Sequence, residues 1–310
     1  MTAPRPRVLV IGEALMDVIR HADDETTEHV GGSPANVAVG LARLDHDVEL
    51  ATCLGQDDRG QRIQAHLQRH GVQLSEGTAA SGAPTSVALA ELDSSGAATY
   101  TFDIAWEPGR IRLPEVVSHV HTGSIAAALD PGAADVLDAI GRAAAMATIS
   151  FDPNVRPSIV GDRPGLREQI EAVIALSDVV KASEDDLPAL YGDDVDLEAV
   201  VERWLALGPS LVVITRGPDG VIWRTASSPE PAALPSVAGE VVDTVGAGDS
   251  FMAGLLSGLL ALDLLGDPAA RARLREATLA SVRPAIERGS ACSGLTVGRA
   301  GAYAPSLDEL

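Results

Sequence analysis

The sequence predicts a three-layer α/β/α architecture, with a mostly parallel central sheet between helices and a small β sheet set beside it. Three observations carry that expectation. Short apolar, β-branched runs alternate with amphipathic stretches along most of the 310 residues, the rhythm of parallel strands joined by crossover helices. Residues 85–104 break this rhythm, because two alternating runs meet there at "DSSG", a β-hairpin signal. The length also suffices to bury a full core, so residues 1–310 are read as a single domain with the small sheet as an excursion.

The elements follow in chain order. "RVLVIG" (7–12) is an apolar run ending in glycine, the look of a buried parallel strand. Residues 13–30 read as extended and polar-edged, and pair with the hairpin to make the small sheet. "GGSPANVAVGLARLD" (31–45) places Ser33 as N-cap and Pro34 at the first helical position, with Ala, Val and Leu at helical spacing. "DVELATCLG" (47–55) is strand-like, and "DRGQRIQAHLQRHG" (58–71) is an amphipathic helix closed by glycine. Beyond the hairpin, strands are expected at 117–122, 148–152, 178–182 and 211–215, and helices near 131–145, 166–177, 185–191 and 197–207. "LVVITRGPDGVIWR" (211–224) reads as a hairpin, and helices fill the rest.

Composition narrows the function. Hydrophobic residues make up 46% and charged residues 22%, as in soluble globular proteins. No apolar run approaches the roughly 20 residues of a membrane span, and the start lacks a signal-peptide layout. Cys53 and Cys292 are too few for a disulfide framework and fit a reducing cytoplasm. A net charge of −21 without a basic stripe argues against nucleic-acid binding. Rare residues stand out: Lys181 is the one lysine, and Asn36 and Asn154 are the two asparagines.

"VVDTVGAGDSFMAGLL" (241–256) is the most informative stretch. A strand that turns at "GAG" into a helix leaves backbone N–H groups unpaired at the helix start, a place suited to phosphate or a developing anion. Gly246 and Gly248 permit the turn, and Phe251, Leu255, Leu259 and Leu262 recur at helical spacing to anchor the helix in the core. Asp249 sits at the mouth of this junction. On the residues alone two readings stay open: an acidic side chain favoured near a helix N-terminus, or a base that deprotonates a hydroxyl attacking a phosphoryl group.

"DTVGAGDSFMAG" resembles the C-terminal signature of the ribokinase-like (PfkB-type) sugar kinases. "GGSPANVAVGLARL", "GQDDRG", "FDPNVRP", "VITRGPDG" and "GRAGAYAP" resemble the family's other elements, in order and over nearly the whole chain. The resemblance implies a ribokinase-like α/β/α fold with a β lid from about 13–30 and 85–106, and an ATP-dependent sugar kinase. It implies Asp249 as general base, with Gly246, Ala247 and Gly248 as the anion hole. Asp17, Gly32 and Asn36 would hold sugar hydroxyls, and Arg156 would reach substrate or phosphates. Lys181, Ser183, Thr215, Gly217 and Gly220 would serve ATP, although a lysine at a strand end is more often merely solvated. Mg2+ would be served indirectly by Asp186, and Asp243 would help hold a monovalent cation such as K+.

The chain departs from the family's N-x-x-E element, for "KASEDDL" puts Ser183 and Asp186 at those positions, and aspartate is one methylene shorter than glutamate. Leu15, the Ser-Pro of "GGSPAN", and "DPNVRP" look more like fructokinases and 2-keto-3-deoxygluconate kinases than ribokinases proper. Tyr100, Phe102 or Trp106 would close over the sugar, with ordinary cross-strand packing as the alternative. A homodimer through the lid is a further expectation. Two other readings are a non-catalytic sugar- or nucleotide-binding regulator on the same fold and a nucleoside kinase. A dinucleotide oxidoreductase, a P-loop ATPase and a serine hydrolase fail for want of G-x-G-x-x-G after the first strand, G-K-S/T and G-x-S-x-G. "HLQRH" lacks the glutamate of H-E-x-x-H, so His66 and His70 read as a solvated helix face.

Overall fold

Every residue of the first strand after Arg7 is buried, because helices cover both faces of the sheet it belongs to. The computed structural model describes residues 7–310 except 22–24, 77, 81, 93–97 and 162. The proposed "DSSG" turn and part of the 13–30 stretch therefore lie outside the described residues.

The chain begins with β1 (Arg7–Ile11), β2 (Leu15–Arg20), β3 (Thr26–Gly31) and α1 (Ser33–Arg43). Next come β4 (Asp47–Ala51), β5 (Cys53–Leu54), α2 (Asp58–Arg69), β6 (Gln73–Leu74), β7 (Ala79–Ala80), β8 (Val87–Leu92) and β9 (Ala98–Asp103). The middle contains β10 (His119–Gly123), α3 (Gly132–Ala143), β11 (Thr148–Asp152), α4 (Pro157–Val160), α5 (Leu166–Ala175) and β12 (Val179–Ser183). It continues with α6 (Leu187–Tyr191), α7 (Leu197–Leu207), β13 (Leu211–Thr215), β14 (Val221–Thr225) and β15 (Ala232–Leu234). Three helices close the chain: α8 (Ala247–Ala261), α9 (Ala270–Glu276) and α10 (Leu279–Val297).

The main sheet runs β15-β14-β13-β12-β11-β10-β1-β4-β6, parallel except for β14 and β15 at one edge. Side chains alternate between two cores, as a period of two requires. Val8 and Val10 enter the core shared with α1, α8 and α10, while Leu9 and Ile11 enter the one under α3, α5 and α7. The three layers of the expected fold are thus present.

Helix α8 is buried nearly all round, wedged between α1 and α10. Close approach depends on glycine: a Cβ on Gly40 would lie 2.6 Å from Ala253, and one on Gly258 would lie 2.6 Å from the Cα of Ala285. Leu262 does not join this core as expected; it caps the helix C-terminus and is 39% exposed.

The small sheet is β3-β2-β8-β9, with β2 and β8 parallel and the outer pairs antiparallel. Met16 and Val18 are buried on one face, beside α2. The register puts Asp17, His29, Ala88 and Phe102 together on the other, with Tyr100 61% exposed. Trp106 corrects the aromatic expectation. It is buried in the main core, its indole N–H donating to Ala126 O at 3.0 Å, away from any role over a ligand.

Beneath α8, the sheet carries a polar column instead of aliphatic side chains. His119 Nδ1 bonds Thr148 Oγ1 at 2.9 Å and its Nε2 bonds Ser150 Oγ at 2.8 Å, which also meets His121 Nδ1 at 2.9 Å. Burial pushes both imidazoles down to about 3, so they stay neutral. Asp152 and Lys181 continue the same face of the sheet toward the carboxyl ends of the strands.

Candidate active site

Ligands of open α/β sheets sit beyond the carboxyl ends of the parallel strands, and here two helix N-termini meet there. α8 starts from Gly246, whose φ of 74° and contact with Ala302 leave no room for a Cβ. α1 starts from Gly32 at φ 102°, where a Cβ would strike Glu13 O at 2.6 Å. Ser33 is therefore not the N-cap expected. It is the first helical residue, and its hydroxyl donates to Asp249 Oδ1 at 2.6 Å. Asn36, one turn on, donates Nδ2–H to Asp249 Oδ2 at 2.8 Å. The carboxylate is thus held at both oxygens by α1 while riding on the first turn of α8.

Lys181 lies under this turn. A Cβ on Gly248 would come 3.1 Å from Lys181 Nζ, so the ammonium forms the floor of the Gly246–Gly248 junction. It is buried rather than solvated, and Nζ donates to Asp152 Oδ2 at 2.9 Å. Burial opposes the charge, but Asp152, Asp186 and Asp249 outweigh it and hold the lysine above its ordinary value. Burial pushes Asp152 up to about 6 despite Lys181, and its Oδ1 has no hydrogen-bond partner among the described residues. From the sequence Asp152 carries no assigned role; the sole lysine, on the neighbouring strand β12, was the available signal.

Asp17 faces the same space from β2. Gly31 makes room for it, since a Cβ there would lie 1.9 Å from Asp17 Oδ2. Burial pushes its carboxyl up to about 6, with His29 opposing and Asp249 reinforcing the rise. The root of the small sheet is fixed by Asp57, which accepts from Gly60 N, Thr85 N and the Thr85 hydroxyl.

The remaining predicted residues line the neighbouring strand ends and loops. Thr215 ends β13 opposite Ser183 and donates Oγ1–H to Ala182 O at 3.3 Å. Gly217 has φ 50° with open space above it, and a Cβ on Gly220 would lie 2.1 Å from Leu234 O, so both suit a glycine loop. Ser183 caps the turn after β12 by accepting Asp185 N–H at 3.1 Å. Asp186 is buried, and its oxygens accept Val155 N–H and Ser183 N–H at 2.8 Å each. That ties the carboxylate to the loop after β11 as a capping group. Arg156 is exposed on that loop and donates to Val155 O at 3.3 Å. Asp243 accepts from Val245 N and Gly301 N, bonds that keep it below the usual carboxylate range. Among the described residues no group of three or more His, Cys, Asp or Glu side chains is arranged to hold a metal ion. No helix of the described residues is long and apolar enough to cross a membrane.

A base at a helix N-terminus, donors around it and a buried cation beneath can activate a hydroxyl and stabilise charge on a transferring phosphoryl group. Comparison with known proteins points to the same reaction class. Residues 5–309 match the pfkB family carbohydrate kinase pattern. A fructokinase of Klebsiella pneumoniae is 30% identical over 315 residues, covering 98% of both chains. A double-mutant fructokinase of Vibrio cholerae O395, solved with fructose, ADP and potassium ion bound, superposes with TM-score 0.79 at 26% identity, over 98% of this chain and 96% of that one. The Salmonella enterica aminoimidazole riboside kinase, solved with aminoimidazole riboside and an ATP analog, gives 0.76 at 27% identity, over 98% of each.

Proposed function

Because this chain belongs to the pfkB family of carbohydrate kinases, we propose that its acceptor is fructose or a closely similar neutral ketose and that Asp249 is the general base. The observation that carries this reading is the Asp249 carboxylate, fixed between Ser33 and Asn36 at the start of α8 with Lys181 behind Gly248. A sugar hydroxyl bound there would lose its proton to Asp249. The N–H groups of Gly246, Ala247 and Gly248, with the Lys181 ammonium, would stabilise charge on the phosphoryl oxygens. Gly32, Asn36 and Asp17 would hold the other hydroxyls, because a polyol is fixed by paired donors and acceptors.

Fructose is favoured over an acidic acceptor such as 2-keto-3-deoxygluconate by the likeness to fructokinases along nearly the whole chain. A nucleoside acceptor is the second reading, supported by the likeness to the riboside kinase. ATP phosphates would lie along Thr215, Gly217 and Gly220, within reach of Arg156 and Ser183. Magnesium bound with ATP would supply charge neutralisation on the phosphates. Asp186, with both oxygens already accepting backbone N–H groups, would act on it only through water. Asp243 would hold a monovalent cation such as potassium beside the anion hole. The open face of the small sheet would close over the sugar as a lid and pair two subunits. Two buried free cysteines suit a cytoplasmic enzyme.

The test is ADP release with Mg-ATP over fructose, 2-keto-3-deoxygluconate, ribose, tagatose, adenosine and no acceptor, each with and without potassium. Fructose should stand out. Asp249→Asn should keep ATP binding and lose about two to four orders of magnitude in kcat. Near-normal turnover by that variant would remove Asp249 as the base.

A further inference from the structure

Among the described residues, Ser33 is the one hydroxyl that the structure places on the proposed base. Its Oγ donates to Asp249 Oδ1 at 2.6 Å, the length of a charge-assisted hydroxyl–carboxylate bond. This is the spacing of a nucleophile and the base that activates it. Capping does not account for the bond, because Gly32 is the N-cap of α1 and no side chain caps that helix. The other carboxylate oxygen is taken by Asn36. Each carboxylate oxygen keeps a second lone pair, so an acceptor hydroxyl that approaches Asp249 at Oδ1 competes with Ser33 for it. Ser33 is half-buried, and its hydroxyl is turned to Asp249 at the start of α8. Close packing of Gly40 on Ala253 keeps α1 and α8 in fixed relation, which holds the pair together without a ligand.

Resting on the reading of Asp249 as base, we propose that Ser33 is a second phosphoryl acceptor, and that the enzyme phosphorylates itself there when ATP is bound without sugar. In that step Ser33 Oγ forms a bond to the γ-phosphorus as the bond from that phosphorus to the β,γ-bridging oxygen breaks. ADP leaves with the bonding pair, and the Ser33 proton passes to Asp249 Oδ1. Sugar protects, because its hydroxyl takes Oδ1 in place of Ser33. The product carries a phosphate beside Asp249 and Asp17, so it repels a second phosphoryl donor and fills the sugar site. The reaction is a slow self-inactivation that sugar prevents.

Wild-type protein is incubated with Mg-ATP alone, then analysed by intact mass and by peptide mapping. The expected result is one added phosphate, located on Ser33. It should be absent in Ser33→Ala, at least about tenfold slower in Asp249→Asn, and suppressed by whichever acceptor in the panel above releases most ADP. An unmodified chain, a phosphate on another residue, or modification of Ser33 undiminished in Asp249→Asn each overturns the proposal. Sugar turnover by the same preparation separates the two readings. An enzyme that phosphorylates sugar but leaves Ser33 bare removes this inference and leaves the kinase reading standing.

Discussion

Asp17 stands opposite His29 on the β2–β3 ladder, in space left by Gly31, and burial there raises its carboxyl to about 6. A carboxyl with a raised folded pKa binds its proton more tightly folded than unfolded. Its contribution is full below the ordinary value of 3.8 and is lost as pH rises through about 6. Asp17→Asn should therefore melt higher than wild type at pH 8, by a gain on the order of 3 kcal/mol that falls below about 1 kcal/mol by pH 4. On the proposed function it also raises KM for the sugar. Thermal melts at the two pH values check the first part, and an equal shift at both would assign the raised value to another group. Asp249 and Asn36 were legible in the sequence because glycines frame them in recognisable motifs. The Ser33–Asp249 bond was not, since it joins residues 216 apart and no local pattern encodes it. Lys181 looked like a strand-end lysine because Asp152, the partner that makes its burial tolerable, lies on the adjacent strand.

At the scale of elements, α8 ties the position of the proposed base to packing. Its first turn carries Asp249, and its next turns are clamped between α1 and α10 through glycines. Gly258→Val should lower stability by about 3 kcal/mol, at the upper end for overpacking, because the atom it would strike is backbone of α10 and not a movable side chain. Urea unfolding checks this; an unchanged midpoint would show that the two helices separate at no cost. The helix was readable from its apolar run, and so were β1, β11 and β13. Leu262 was misplaced because a single-helix wheel ignores where the helix stops. Trp106 was misplaced because adjacency to the hairpin in sequence suggested adjacency in space, whereas the chain turns back into the main core after β9.

For the molecule as a whole, the alternation of strands and helices announced a parallel sheet. It did not announce the strand order, which depends on crossovers that place β10 beside β1 and send β4 to the other side. The small sheet leaves Tyr100 and Phe102 stacked, with ring centroids 6.1 Å apart, on a face that no element of the described chain covers. A homodimer through that face is expected in sedimentation, and it should tighten with salt because a net charge of −21 repels a second copy. Tyr100→Glu should sediment as a monomer. A wild-type monomer at high salt would retire the lid-to-lid assembly.

The burial of Lys181 also sets how the chain meets amine reagents. It is the only lysine in the sequence, and it is 3% exposed. The folded protein thus offers amine-directed reagents no side chain to label, cross-link or immobilise, while every unfolding event uncovers one. Acylation of that single ε-amine is a built-in reporter of opening, and lysine-directed modification reaches the native chain only by way of its unfolded state.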